Sequence, residues 1–240
     1  KIKIAAINST NFSVKELTSE TSTQESGNSL NTISKLTAKE VNAEAVRMHD
    51  LAIETAIDGF NKKSIHELSE IFQELANGEP FNQASGAKLC SAARELLFSG
   101  FKFQIKKLAG AKDSGKLNGT LSLELTPAPN GNSYLLSKHL VSGGELTLEG
   151  ILDKSQEAQA VATRFFAQTP SGLKTNYSFN DSLLKVNDLI IDTPDIRSFI
   201  NEADEGVANA LSGCEQATRL LGEPASTFEA EHKSESPQVE

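Results

Sequence analysis

The chain has 240 residues, 38% hydrophobic and 23% charged, with a formal net charge of −9 and a mean hydropathy of −0.30. That length allows one large domain or two small ones. The hydrophilic balance argues against a membrane-spanning chain, and the acidic one against nucleic acid or anionic lipid surfaces as partners.

From the N-terminus, Ile2, Ile4 and Ala6 alternate with Lys1, Lys3 and Ala5, which predicts a half-buried strand. The opening "KIKIAAINST" has no initiating Met and reads as mid-strand. That suggests a fragment of a longer protein, cut from an export signal or anchor. Residues 11–23 are rich in Thr and Ser, with Phe12 and Val14 in step, and read as an edge or two-sided exposed strand. "SGNS" at 26–29 marks a turn. Residues 30–46 suit another long strand, although "AKEVNAEAV" suits a helix equally. Leu51, Ile53, Thr55 and Ile57 alternate as a further strand.

Helix signals follow. Ser64 and Glu67 have capping-box spacing, and Ile65, Leu68, Ile71, Phe72 and Leu75 recur on one helical face. A second helix is predicted over 82–98 with Leu89, Ala93, Leu96 and Leu97 as its stripe, closed by Gly100. Phe101, Phe103 and Ile105 then alternate with Lys102, Gln104 and Lys106. "GAKDSG" turns the chain into a strand over 116–126, where Leu117, Leu121, Leu123 and Leu125 share a face with Gly119. The two strands predict an antiparallel hairpin with a medium loop.

After "PAPNGN" the pattern gives a short helix at 132–141, a strand at 145–152 and a helix at 155–168 carrying Val161, Phe165 and Phe166. Leu173, Thr175, Tyr177 and Phe179 open a hairpin that "SLLKVNDLIID" leaves. Thr193 caps a last helix and Pro194 sits in its first turn, where a missing amide costs nothing. Its apolar stripe runs from Ile196 through Phe199, Ile200, Ala203 and Val207 to Leu211, Cys214 and Leu221. Gly206 and Gly213 leave open one kinked helix or two, and Gly222 and Pro224 end it. The resulting division is a sheet-and-helix domain over 1–192, an amphipathic helix or helix pair over 193–222 and a disordered polar tail over 223–240. The fold class is α+β: an antiparallel amphipathic sheet with several helices packed on its apolar face.

Three stretches carry a family resemblance: "DGFNKKSIHELSEIFQEL", "LLFSGFKFQIKKLAGAKDSGKLNGTLSLELTP" and "LKTNYSFNDSLLKVNDLIID". They supply a strand running through Asn into an amphipathic helix, a lysine-bearing hairpin, and a Tyr-bearing hairpin. In this order they resemble the C-terminal half of the YdgA-like family of bacterial envelope proteins, over residues 30–192. The last strand departs from the family's usual Val-Asn-Gly with Val186-Asn187-Asp188, and the helix after 193 lies outside the pattern. The resemblance implies an exported protein facing the periplasm, held to the inner membrane by an N-terminal segment absent from this chain. The function it implies is unassigned, and it supplies no catalytic residue to carry over.

The residues offer little chemistry of their own. Cys90 and Cys214 sit in helix-like stretches and read as two buried thiols, a single bridge in an oxidising compartment being the alternative. His49, His66, His139 and His232 lack metal-like partners at short spacing, so no metal or cofactor is expected. "SGGE" at 142–145 reads as a turn into a strand. Glu67, Glu70 and Glu74 read as a solvated face, Asp192 and Asp195 as helix-start acids. Lys102, Lys106 and Lys107 form a dense basic cluster, read as the solvated side of an edge strand that discourages aggregation. Their alternative role is contact with an anionic headgroup or acidic partner.

The candidate site is the apolar face of Leu117, Leu121, Leu123 and Leu125 with Phe101, Phe103 and Ile105. Its ordinary role is to pack under the helices at 64–75, 84–98 and 155–168. Its sharper role is the wall of a groove for an acyl chain or a partner's strand or helix. The expected function is a noncatalytic envelope module that binds a protein partner or itself, with a lipid or lipoprotein carrier as alternative and a hydrolase third.

Overall fold

Alternating apolar residues become strands, and the helical stripes become helices that fold against one end of the sheet. The computed structural model describes residues 1–43, 46–112, 115–128, 134–150 and 165–222. Among these, eleven strands form one antiparallel sheet: β1 (Ile2–Asn8), β2 (Phe12–Ser26), β3 (Ser29–Ala43), β4 (Val46–Asn61), β5 (Phe101–Lys112), β6 (Gly115–Leu125), β7 (Leu140–Glu149), β8 (Ala167–Thr169), β9 (Gly172–Asn180), β10 (Leu183–Val186) and β11 (Leu189–Ile190). The described helices are α1 (Lys62–Ala76), α2 (Gln83–Ser99), α3 (Leu136–His139) and α4 (Pro194–Gly222). The fold is α+β, as the alternation predicts.

The strands follow one another across the sheet in chain order, with β8 set aside as a short pairing on β9. β2 and β3 have 15 residues each, a reach of about 50 Å at roughly 3.3 Å per residue. A two-residue turn joins them, with Gly27 at φ 59° in the first central position. Residues 30–43, ambiguous in sequence, belong to β3, where pairing with both neighbours settles the choice for strand. β5 lies between β4 and β6, so the lysine-bearing strand is central rather than an edge. A register shift between Ile105 and Leu108 lets both face the same side of the sheet, leaving Lys106 and Lys107 exposed at the bulge.

Several local readings shift. The cap of α1 is Asn61, whose side chain accepts from the Ser64 amide at 3.1 Å; Ser64 lies inside the first turn and is not the cap. Asn82 caps α2 in the same way through the Ser85 amide at 3.0 Å. "SGGE" is not a turn, because Gly143 and Gly144 lie within β7, which spans 140–149 rather than 145–152. Of the helix expected over 155–168, residues 155–164 fall outside the described residues and 167–169 are β8. The tail 223–240 also falls outside them. Between Pro194 and Gly222 the chain is one helix, and Gly206 and Gly213 meet open space there.

α1 and α2 pack on each other, and their main contact with the sheet is β4. α4 crosses from α2 to α3. Cys90 of α2 and Cys214 of α4 form a disulfide with their Cα atoms 5.2 Å apart, in place of two buried thiols. Sequence spacing carries no trace of this pairing, because it joins residues 124 positions apart that only the packing of α2 on α4 brings together.

Candidate functional site: an apolar trough under the last helix

Across β5–β10, register alone builds a largely apolar face on one side of the sheet. Phe103, Leu123, Ser142, Phe179 and Leu184 stand in one row across β5, β6, β7, β9 and β10. The next row is Ile105, Leu121, Gly144, Tyr177 and Val186, and the one after it Leu108, Gly119, Leu146 and Thr175. From Leu125 to Leu117 this face runs about 27 Å along β6, at roughly 3.4 Å per residue.

α4 roofs the first part. Ile196, Phe199, Ile200 and Ala203, spaced by three, one and three residues on one helical face, line it opposite Leu123, Leu140, Phe179 and Leu184. Between roof and sheet lies a cavity of about 370 Å³, with Leu136 and Ser137 of α3 at its end. Phe199 lines it while remaining 68% exposed, so it stands at the mouth. A second hollow of about 240 Å³ continues on the same face over Ile105, Leu108, Leu121, Leu146 and Thr175. Tyr177 lines both. Its ring lies over Gly144, where an added Cβ would come within 2.8 Å of the ring and 2.7 Å of the Thr120 carbonyl oxygen. Its hydroxyl is bonded to Ser142 Oγ at 2.9 Å, and Ser142 Oγ in turn donates to the Ser122 carbonyl at 3.1 Å.

A polar clasp holds the roof. Asp204 of α4 accepts from the Ser137 amide at 2.7 Å and from Ser137 Oγ at 2.6 Å, and Ser137 Oγ accepts from Ser182 Oγ at 3.0 Å. Ser137 is only 5% exposed, so Asp204 satisfies groups that water reaches poorly. Thr193 starts the helix, its hydroxyl accepting from the Ile196 amide at 3.4 Å. The disulfide to α2 fixes the other end.

A match to a family of bacterial proteins of unknown function, DUF945, spans residues 1–161. The chain belongs to the DUF945 family. No curated protein and no solved structure matches it. The family match starts at the first residue, ahead of the YdgA-like pattern, and ends before the Tyr-bearing hairpin and α4. The trough is therefore built partly from the matched stretch and partly from the residues after it.

The sequence candidates are distributed along this face. Leu123 is a cavity wall; Leu121 and Ile105 line the second hollow; Leu117 lies opposite Gly110 and Leu148 at the far end. Phe101 packs edge-on against Phe60 with ring centres 4.9 Å apart, and Leu125 beside it is buried. Phe103 pairs with Leu123 in register. The cover over Leu123 comes from α4 rather than from α1 or α2. The lysines do not share one environment: Lys102 pairs with Glu124 at 3.2 Å, while Lys106 and Lys107 border a hollow of mixed polarity with Leu108, Asn118, Thr120, Glu145 and Thr147.

No cluster of His, Cys, Asp or Glu able to hold a metal is present among the described residues. Glu70 and Glu74 of α1 both reach Lys88 of α2, at 3.3 and 3.2 Å, so these acids tie two helices together. That pairing raises the Lys88 pKa. His139 stacks on Tyr134, its ring centre 4.9 Å away, and burial raises the Tyr134 phenol. The roles of Tyr177, Gly144 and Asp204 had no motif to announce them. The one available signal was the long stripe of α4, which is far more apolar on one face than a solvated helix needs.

Proposed function

We propose that this protein is a noncatalytic envelope module that binds a single unbranched aliphatic chain in the trough between β6–β10 and α4. The observation that carries the reading is the roofed cavity itself. Its volume of about 370 Å³ falls in the range of small-molecule sites. Its polar side chains are already paired: Ser142 with Tyr177 within the wall, and Ser137 with Asp204. An occupant gains from burying methylenes there and finds no charged group to pair with, so an alkyl chain fits and a charged or hydrogen-bonding ligand does not. The apolar helix face of Ile196, Phe199, Ile200 and Ala203 over Leu123, Phe179 and Leu184 suits a lipid or lipoprotein acyl chain. A disulfide is in keeping with an oxidising compartment, which supports the periplasmic setting implied by the YdgA-like resemblance.

The test is titration of the detergent-free protein with a dansyl-labelled fatty acid. Saturable fluorescence enhancement is expected, weakened at least tenfold by Leu123→Asp or Ile200→Asp. Absence of enhancement in the unmodified protein refutes the reading.

A protein partner or a second copy is favoured by a different observation. β1 ends the sheet, with Ile2, Ile4 and Ile7 exposed by 63%, 37% and 38%. An open apolar edge of this kind invites strand addition. Concentration-dependent sedimentation, abolished by Ile4→Pro, tests it; a monomer at all concentrations excludes self-association.

A further inference from the structure

We propose that Tyr177 sets the length of aliphatic chain that the trough accepts, an inference that rests on the binding role proposed above. Tyr177 is the side chain that the roofed cavity and the second hollow have in common. Its row lies between that of Leu123 and Phe179 and that of Leu146 and Thr175, so it divides one apolar face into two compartments. Its position is fixed from below and from the side. Gly144 gives the ring its seat, since a Cβ there collides with the ring at 2.8 Å. The hydroxyl is tied to Ser142 at 2.9 Å, and Ser142 to the Ser122 carbonyl. A ring held at both points does not swing aside for the cost of one rotamer change. A chain entering past Phe199 thus fills the roofed cavity and stops at the ring, leaving the second hollow of about 240 Å³ unused.

Chain-length selectivity follows. While methylenes enter the first cavity, each strengthens binding by about fourfold, the factor equivalent to burying one CH₂. Past the ring, further methylenes add nothing. Tyr177→Ala joins the compartments and restores the fourfold gain for the next few methylenes. Tyr177→Phe keeps the ring and keeps the limit. Adding Leu146→Trp to Tyr177→Ala plugs the second hollow and brings the limit back.

The experiment is displacement of a dansyl-labelled fatty acid by saturated fatty acids from octanoate to stearate. The unmodified protein, the three variants above and Tyr177→Leu are each first checked for a native circular dichroism spectrum. Tyr177→Leu stands in if the alanine variant fails to fold, because it shortens the side chain while keeping the surface apolar. The expected result is a plateau in affinity for the unmodified protein that moves to longer chains in Tyr177→Ala or Tyr177→Leu and returns in the double variant. An identical plateau in Tyr177→Ala overturns the role of Tyr177 and leaves the trough reading standing. Loss of the plateau in Tyr177→Phe shows that the Ser142 bond, not the ring, sets the limit, and also overturns it. No displaceable binding by the unmodified protein refutes the trough reading itself.

Discussion

Removing the Cys90–Cys214 bridge is predicted to release α4 before it unfolds the sheet. The bridge closes a loop across 124 residues, for which the chain-entropy relation gives an upper figure of about 5 kcal/mol, with about 2–4 kcal/mol typical of measured bridges. In the folded state the bridge ties α2 to α4 and touches no strand pairing, although the loop that it closes contains β5–β11. Without the bridge, α4 is held by the Asp204 clasp and by the side chains over the trough. Hydrogen bonds to a charged acceptor contribute about 1.5–3 kcal/mol each, so this hold is of the same order as the tether that is lost. In Cys90→Ala/Cys214→Ala, a loss of about 2–4 kcal/mol corresponds to amide hydrogen exchange in α4 faster by roughly 30- to 1,000-fold. Exchange by local opening in β5, β6 and β7, paired on both sides, stays close to that of the bridged protein. Mass-spectrometric exchange with peptide resolution reads both regions at once. Equal acceleration in α4 and in β5–β7, or none in α4, refutes the view of the bridge as the tether of a roof.

Asp204→Ala strips the buried Ser137 amide and hydroxyl of their acceptor. It is expected to cost about 1–3 kcal/mol, a Tm fall of roughly 2–12 °C at about 2–4 °C per kcal/mol for a chain of this size; an unchanged Tm contradicts the clasp. Gly100 sits at φ 73° and ψ 161°, a region open essentially to glycine alone, and an added Cβ strikes the Leu125 carbonyl and the Pro127 nitrogen. Gly100→Ala should therefore lower the urea midpoint by at least the equivalent of about 1–3 kcal/mol, and a wild-type midpoint counts against the assigned α2–β5 junction. Glu40 is held down to a pKa of about 2 by the side chains of Asn42 and Lys15, with Arg47 adding to them, against an ordinary 4.5. A carboxyl depressed on folding stabilises fully above its unfolded pKa, and that contribution is lost as pH falls from about 4.5 towards 2. Glu40→Gln should flatten the fall of Tm across that window; parallel profiles would exclude the Lys15–Glu40–Arg47 link between β2, β3 and β4.

The strands were legible because alternation writes them directly. Leu117, Leu121, Leu123 and Leu125 share a face in the sequence and share it in β6, where the sheet leaves only Leu125 fully buried. Helix caps were harder to place: Ser64 has the spacing of a cap, but Asn61 lies where β4 ends and so meets the free amides first. The Gly143-Gly144 pair reads as a turn in isolation. It is strand because Gly144 makes room for Tyr177, a requirement set by a residue 33 positions later that no local pattern contains. The roof was half legible. The stripe of Ile196, Phe199, Ile200 and Ala203 announces a buried face, but the surface it buries against is set by Asp204, Cys214 and the bend of the chain through α3. Lys102, Lys106 and Lys107 look like one patch until the bulge after Ile105 and the pairing of Lys102 with Glu124 separate them.

The most direct test of the trough is to mark where a bound chain lies. The detergent-free protein would be loaded with a fatty acid carrying a diazirine at its methyl end, irradiated, digested and mapped by mass spectrometry. Labelling is expected to concentrate on the peptides that contain Leu121–Leu123, Tyr177–Phe179 and Ile196–Ala203, and to be competed away by unlabelled fatty acid. Labelling centred on exposed apolar residues elsewhere, such as Phe72 of α1, Phe81 ahead of α2 or Ile2 and Ile4 of β1, would contradict the trough reading.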